Sequence, residues 1–387
     1  MRNQVQNAVR LALLATALAW GMAQHDTVHA QQPGTTAASP ENAVQSSFPK
    51  LQNSKLQVQQ LNGSLSDTVN RWAARTTKPE WLGYVVAEVQ TKHSVGCWHG
   101  GNGAEGCGIC RLEGENSGSN IVMKDSDKQT VKLEGPRELI ILYRAESGKI
   151  GKIRMVSLEN SLDAGGLTLV WLQGVHAPES VALLEQFVRS ANVETGSPEK
   201  ISQGALAAIA QHADPSADRA MESFVAPNEP ASLRKETAFW IGEARGAAGL
   251  RVLQKMARGD QSPEVREQVA FALSISPESG ALSELIRMAH DDQVPKVRGQ
   301  ALFWLGQKAG ERASKAITGS IENDPDTYVK KKAVFALSQM PADQGVPKLI
   351  QVAQTNRNPV VRKEAMFWLG QSGDPQALVF FEKVLSQ

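Results

Sequence analysis

The chain has 387 residues, enough for two or three domains and a large buried core. Its 41 Lys and Arg almost cancel 40 Asp and Glu, giving a net charge of +1, and aromatic residues make up only 5%. That balance lacks the basic footprint of phosphate binding, so it argues against nucleic acid and a polybasic membrane anchor and leaves proteins, peptides and glycans as partners.

In chain order, residues 1–30 read as an export signal. Arg2 and Arg10 give a basic start, LALLATALAWGMA is a short apolar run, and VHA ends at Ala30 with small residues before Gln31. The run from Leu11 to Ala23 is shorter than the ~20 residues that span a bilayer, so cleavage is expected and no integral membrane segment remains. The protein is therefore expected to be exported, periplasmic or extracellular. Residues 31–78 begin QQPGTTAASPENAVQSSF and are expected to form a disordered or partly helical tether, since few apolar groups offset the entropy of ordering.

Between residues 79 and 160 the period changes. GYVVAEVQ, TVKLEG, ELIILYRAE and GKIRMVSLE are short β-branched runs, and a Ser-Gly turn separates the last two, which predicts a small β-rich domain. Its loop CWHGGNGAEGCGIC holds Cys97, His99, Cys107 and Cys110, with His93 just upstream. Three sulfurs and an imidazole with C-x-x-C spacing suit a tetrahedral zinc site. An oxidising compartment would instead pair two of the three cysteines. Both readings stand, and zinc is the one cofactor the sequence suggests. Haem attachment needs a histidine after CGIC, where Arg111 stands, and no βαβ context supports a thioredoxin-like role.

Residues 161–387 carry a repeat. Leu233, Val265, Val297, Val329 and Val361 lie 32 residues apart. One position on are Arg234, Arg266, Arg298, Lys330 and Arg362; six on are Phe239, Phe271, Phe303, Phe335 and Phe367. Gly242, Ser274, Gly306, Ser338 and Gly370 close each first helix, and a second helix carries Leu253, Leu285, Ile317, Leu349 and Phe381. Further upstream, VWLQG with ALLEQFV reads as one more unit. One hairpin cannot bury its apolar face alone, so about seven must stack.

At ~100° per residue, positions 0, 4, 7 and 8 of each first helix share the buried face. Position 7 alternates Trp240, Ala272, Trp304, Ala336 and Trp368, which is expected to keep core volume constant. The phenylalanines at position 6 fall about 140° from that face, among Lys235, Glu236, Lys331, Lys332, Lys363 and Glu364.

VRKEAMFWLGQSGDPQAL resembles the HEAT repeat, in the short form found in phycobilisome lyase HEAT-like proteins, here as an exported bacterial member. The resemblance covers a little over half the chain. It implies a mainly α fold, an α-solenoid of about seven hairpins preceded by the β-rich domain. It also implies that each first helix lines a concave groove, with Phe239, Phe271, Phe303, Phe335 and Phe367 as a ladder along it. The position-1 arginines are then expected to pair with connector acids among Asp260, Asp291, Asp292 and Asp324.

Some relatives in that family are enzymes. The deoxyhypusine hydroxylase branch holds iron on His-Glu pairs, yet none of the 7 histidines here precedes a glutamate. His176, His212 and His290 fall near connectors and are expected in solvated loops. No G-x-S-x-G, HExxH or P-loop is present. The expected function is a non-enzymatic scaffold or adaptor that binds a protein or peptide through the groove. The alternative is a metal or redox protein built on the Cys/His loop, and a bilin lyase-like enzyme ranks third.

Overall fold

The computed structural model describes residues 47–90, 93–95, 109–113, 123–125, 137–190, 198–308 and 310–386, all within the unit Ala43–Gln387. The first part runs β1 (Lys50–Gln52), β2 (Lys55–Gln60), α1 (Leu65–Arg75), β3 (Glu80–Ala87), β4 (His93–Val95) and β5 (Ile109–Arg111). It continues through β6 (Met123–Asp125), β7 (Glu138–Glu146), β8 (Lys149–Ser157), β9 (Ser161–Asp163) and β10 (Thr168–Gln173). Five strands form one sheet in the order β2-β10-β3-β7-β8, with β10 parallel to both its neighbours and the rest antiparallel. Both faces of this sheet are covered. Leu82, Tyr84, Val86, Ile141, Tyr143 and Val170 join the helical core on one side, while Trp81, Ile140, Leu142 and Trp171 pack with Cys110 and Leu162 on the other.

Two expectations change here. Residues 47–78 are not a tether: β1 and β2 pair with β9 and β10, and α1 buries Leu65, Val69 and Trp72. A polar edge strand is held by its backbone, so its side chains need not be apolar. The sheet also extends past residue 160 to Gln173, because VWLQ is strand β10 and not a helix. A strand buried on both faces loses its alternation and imitates a buried helical run.

After α2 (Ala177–Arg189) come six hairpins: α3 (Pro198–Gln211) with α4 (Pro215–Phe224), α5 (Ala231–Ala244) with α6 (Gly246–Gly259), and α7 (Pro263–Ile275) with α8 (Ser279–Asp291). Then follow α9 (Pro295–Lys308) with α10 (Glu311–Asn323), α11 (Thr327–Ser338) with α12 (Ala342–Thr355), and α13 (Pro359–Ser372) with α14 (Pro375–Leu385). Asp214, Ser262, Asp326, Asn358 and Asp374 cap α4, α7, α11, α13 and α14 through side-chain acceptors, which sets where these five helices start. First helices stack on first helices, α5 on α7, α7 on α9, α9 on α11 and α11 on α13. Among the described residues no helix is long and apolar enough to cross a membrane.

Successive hairpins are clamped by the arginine row. Arg266 donates from Nε and Nη2 to Asp292 at 2.8 and 3.0 Å, and from Nη1 to the Asp260 carbonyl at 2.7 Å. Arg298 repeats this with Asp324 and the Asp292 carbonyl, and Arg234 with Asp260 and the Glu229 carbonyl. Each aspartate also accepts the amide two residues on, at Ser262, Val294 and Asp326. One guanidinium thus ties two connectors, and the expected pairing holds for Asp260, Asp292 and Asp324. Asp291 instead faces His290. The clamp lapses where Lys330 bonds the Glu322 carbonyl and Asn356 stands in the aspartate position, and Arg362 keeps only its carbonyl half, to Asn356.

The junction of sheet and helices holds a buried polar chain. His212 is fully buried, not solvated as its connector position suggests; Nδ1 donates to the Ala208 carbonyl at 2.7 Å and Nε2 accepts from Ser180 at 2.8 Å. Ser180 accepts in turn from Tyr84 at 2.7 Å, and Tyr84 from Tyr143 at 2.9 Å. Burial pushes the imidazole down to about 4, with Arg245 nearby adding to the effect, so the ring is neutral and the chain has one direction. His176 and His290 are exposed.

Three outcomes are expected. As pH falls from about 6.5 to about 4, the unfolded chain binds a proton at residue 212 that the folded chain refuses, so stability falls by about 3 kcal/mol. Urea melts from pH 7.5 to 4.5 should show a shallower loss in His212→Gln than in wild type; equal slopes would contradict this. Second, Asp292→Ala strands a largely buried guanidinium and should cost about 3–5 kcal/mol. Lys330→Arg with Asn356→Asp should be more stable than the two single changes combined, by about 1–3 kcal/mol in a double-mutant cycle.

Candidate functional site

The aromatic residues of the first helices form one row. Phe239 stacks on Phe271 at 6.0 Å and 14°, and Phe303 on Phe335 at 5.9 Å and 8°. Between these pairs the tryptophans intervene: Phe271 meets Trp304 at 4.6 Å and Phe335 meets Trp368 at 4.8 Å. Each tryptophan also touches the phenylalanine before it, Trp304 with Phe303 and Trp368 with Phe367. The row therefore runs unbroken from Phe239 to Phe367. Four of its phenylalanines are half-buried, and Phe367 is 55% exposed.

This extends the reading of position 7. Trp240 is buried in the core, and Trp304 and Trp368 pack against it while also standing half-buried in the row. Their alternation with alanine is spacing on this face: stacking joins Phe to Phe where alanine follows, and Phe to Trp where tryptophan follows. The signal was present in the two-unit period of FW, and the helical angle was too coarse to use it. Trp368 Nε1 donates to Glu364 at 3.0 Å, and Lys331 pairs with the same carboxylate at 3.0 Å. In the equivalent place two units earlier Gln300 stands, and the buried Trp304 Nε1 has no hydrogen-bond partner.

Close approach of the backbones sets this spacing. A Cβ on Gly306 would lie 2.5 Å from the Ala336 carbonyl oxygen, and one on Gly242 2.5 Å from that of Ala272. Gly370 has no such neighbour; only Phe381 comes within 4.0 Å.

On the second-helix side, α10 and α12 leave an open cleft of about 920 Å³ lined by Ser314, Thr318, Gly319 and Pro347 with Lys315 and Asp343 among its charges. Sister helices carry Leu250, Leu282 and Val346 where α10 has Ser314, so α10 lacks the apolar contact. The cysteine loop contributes less. Cys110 is 2% exposed and disulfide-bonded, and a sulfur so bonded is not a thiolate ligand. Cys97, His99 and Cys107 lie outside the described residues, and no cluster of metal-ligating side chains occurs among those described.

A sequence profile for HEAT repeats matches residues 223–306 and 315–387. Over these residues the hairpins are HEAT repeats. No curated protein matches the chain. Among solved structures it is similar to human deoxyhypusine hydroxylase in complex with glycerol, at 17% identity over 53% of this chain and 89% of that one, with a TM-score of 0.26. The complex of CpcE and CpcF of phycocyanin lyase from Nostoc gives 20% identity over 40% and 99%, with a TM-score of 0.31. A designed armadillo repeat protein in complex with the peptide (KR)4 gives 19% over 49% and 99%, with a TM-score of 0.28. The likeness carries no ligand or activity across; the aromatic face of the HEAT array rests on its own geometry.

Gly306→Ala should separate the HEAT units bearing Phe303 and Phe335 and cost about 2 kcal/mol or more in chemical denaturation. Gly370→Ala should be neutral or stabilise by up to ~1 kcal/mol, since alanine favours the helix and meets nothing. Equal effects at the two positions would remove the close-packing argument.

Proposed function

We propose that this protein is a non-enzymatic scaffold or adaptor whose first-helix groove binds a protein or peptide. The observation that carries the reading is the unbroken aromatic row from Phe239 to Phe367, half-buried along its length and 55% exposed at its end. Apolar rows left open on a folded protein mark interaction surfaces, and aromatic anchors concentrate binding energy. Phe271, Phe303 and Phe335 are the central anchors.

The site of action is outside the cytoplasm, in the periplasm or beyond the cell. The apolar run before Ala30 supports this, and so does the disulfide at Cys110, because disulfides persist in oxidising compartments. The same disulfide favours a structural Cys loop over zinc.

The test is crosslinking of the purified chain in extract from its own cell envelope. The comparison is Phe303→Gln/Phe335→Gln/Phe367→Gln, shown by circular dichroism to keep its helix. Loss of one defined adduct in the variant is the expected result. Identical adducts from both proteins would return these rings to packing and refute the groove.

A further inference from the structure

Each hairpin of the stack presents a forward face to the next. A Cβ on Gly242 or Gly306 would meet the carbonyl oxygen of Ala272 or Ala336 at 2.5 Å, and Phe239 and Phe303 stack on Phe271 and Phe335 of the following unit. On the second-helix side Leu250 reaches forward to α8, its Cδ2 lying 2.9 Å from where a Cβ on Gly280 would stand. The hairpin of α13 and α14 carries the same forward face, and among the described residues that face is open. Phe367 is 55% exposed, and a Cβ on Gly370 would meet only Phe381 of its own hairpin, at 4.0 Å.

Helix α14 shows the same openness. Leu385 is 85% exposed, although Ala257, Ala289 and Ile321 are buried at its position in earlier units. Leu378 is 63% exposed where Leu250 and Leu282 are half-buried and Val346 is buried, and Val384 is exposed where Met256, Met288 and Val352 are buried. Two further positions turn apolar here: Val379 takes the place of Arg251, Ser283 and Lys315, and Val360 that of Ser232, Glu264 and Lys296. A repeat whose forward face meets water is expected to be polar there, and this one has gained apolar residues instead.

We propose that the forward face of α13 and α14 is a self-association surface, occupied by the same face of a second copy of this chain. Val360, Phe367, Leu378, Val379, Val384 and Leu385 together leave roughly 500 Å² of apolar side chain open, near the upper end for a monomer. Two such faces pressed together remove about 1,000 Å² from water, the size at which a specific contact becomes stable. The opposite end of the stack offers no receiving face, because α3 lies on the sheet, with the Ile153 carbonyl oxygen 2.9 Å from a Cβ on Gly204. Head-to-tail growth is thereby closed off, and a two-fold contact uses the one surface twice. Gly370 lets the two α13 helices approach, as Gly242 and Gly306 do inside the stack. Glu382 and Lys383, exposed side by side on α14, put both signs at the rim, so like charge does not oppose the pairing. The result is a scaffold with two aromatic rows, suited to partners that offer two segments.

The test is sedimentation velocity of the purified full chain from about 1 to about 50 μM, where a species of twice the chain mass should appear. Leu378→Glu/Leu385→Glu should weaken self-association at least about a hundredfold with unchanged circular dichroism, because the contact then buries unpaired carboxylates. Leu378→Lys/Leu385→Lys should do the same, and an equal mixture of the two variants should recover the doubled mass, since each face then meets its opposite. Phe303→Gln/Phe335→Gln, inside the groove, should leave the doubled mass intact, so the groove and this face fail separately. A wild-type chain that stays single at about 50 μM overturns the proposal, as does a doubled species that survives both α14 variants. Species growing beyond two copies, or no recovery in the mixture, refute the two-fold contact.

Discussion

The distance between one first helix and the next governs this protein's candidate surface. Gly242 and Gly306 let the carbonyls of Ala272 and Ala336 approach where any Cβ would collide. That contact brings the rings of Phe239 and Phe271, and of Phe303 and Phe335, into parallel stacks. In the alternate steps a serine closes the first helix, its hydroxyl bonding the Phe271 or Phe335 carbonyl, and the next unit supplies a tryptophan that bridges to the following ring. The repeated FWLG is thus the signature of a two-unit packing cycle. Glycine removes bulk where alanine arrives, and tryptophan supplies it where the aromatic row would otherwise break.

Polar groups hold the same stack from its edge. Each arginine of the clamp satisfies a carboxylate and a carbonyl from different connectors, and each carboxylate also takes an amide of the turn that follows. Satisfied in this way, charges with little exposure to water fix register without being left unpaired. Lys330 and Asn356 depart from the pattern together: the carboxylate is gone, and the shorter, unforked ammonium turns to the Glu322 carbonyl instead. The nearby α10 exchanges apolar positions for Ser314, Thr318 and Ser320, and there the second helices part to form the cleft. The array is accordingly tight along its first helices and loosened at one place in its outer layer.

At the other end, the sheet supplies one face to the helices and in doing so caps the first of them. Repeat arrays need such an end, because the outermost unit otherwise exposes the face its neighbour would cover. The chain from Tyr143 through Tyr84 and Ser180 to His212 crosses that junction, and its hydrogen bonds run in one direction only while the imidazole is neutral. Trp72 and Trp81 each give their indole N–H to a glutamate, Glu80 and Glu113, so the large rings of this region are buried without orphaned donors.

The residues alone were enough for everything that depends on near neighbours. A strict interval of 32 positions, valines at one phase, capping residues before several helices and arginines one step on establish the HEAT-like hairpin, its buried stripe and its ion pairs, since a helix turns each residue by a constant angle. Contacts from far along the chain decided the rest. VWLQ became a strand because β2 and β3 lie on either side of it, and the polar residues 55–60 became ordered because β10 offers them a backbone. His212 sank from a connector into the core because Ser180 and the sheet close over it. Trp304 lies against the core and also joins the open row because Phe271 of the preceding unit stands 4.6 Å away. In each case the local pattern permits two environments, and only the arrival of a distant partner selects between them.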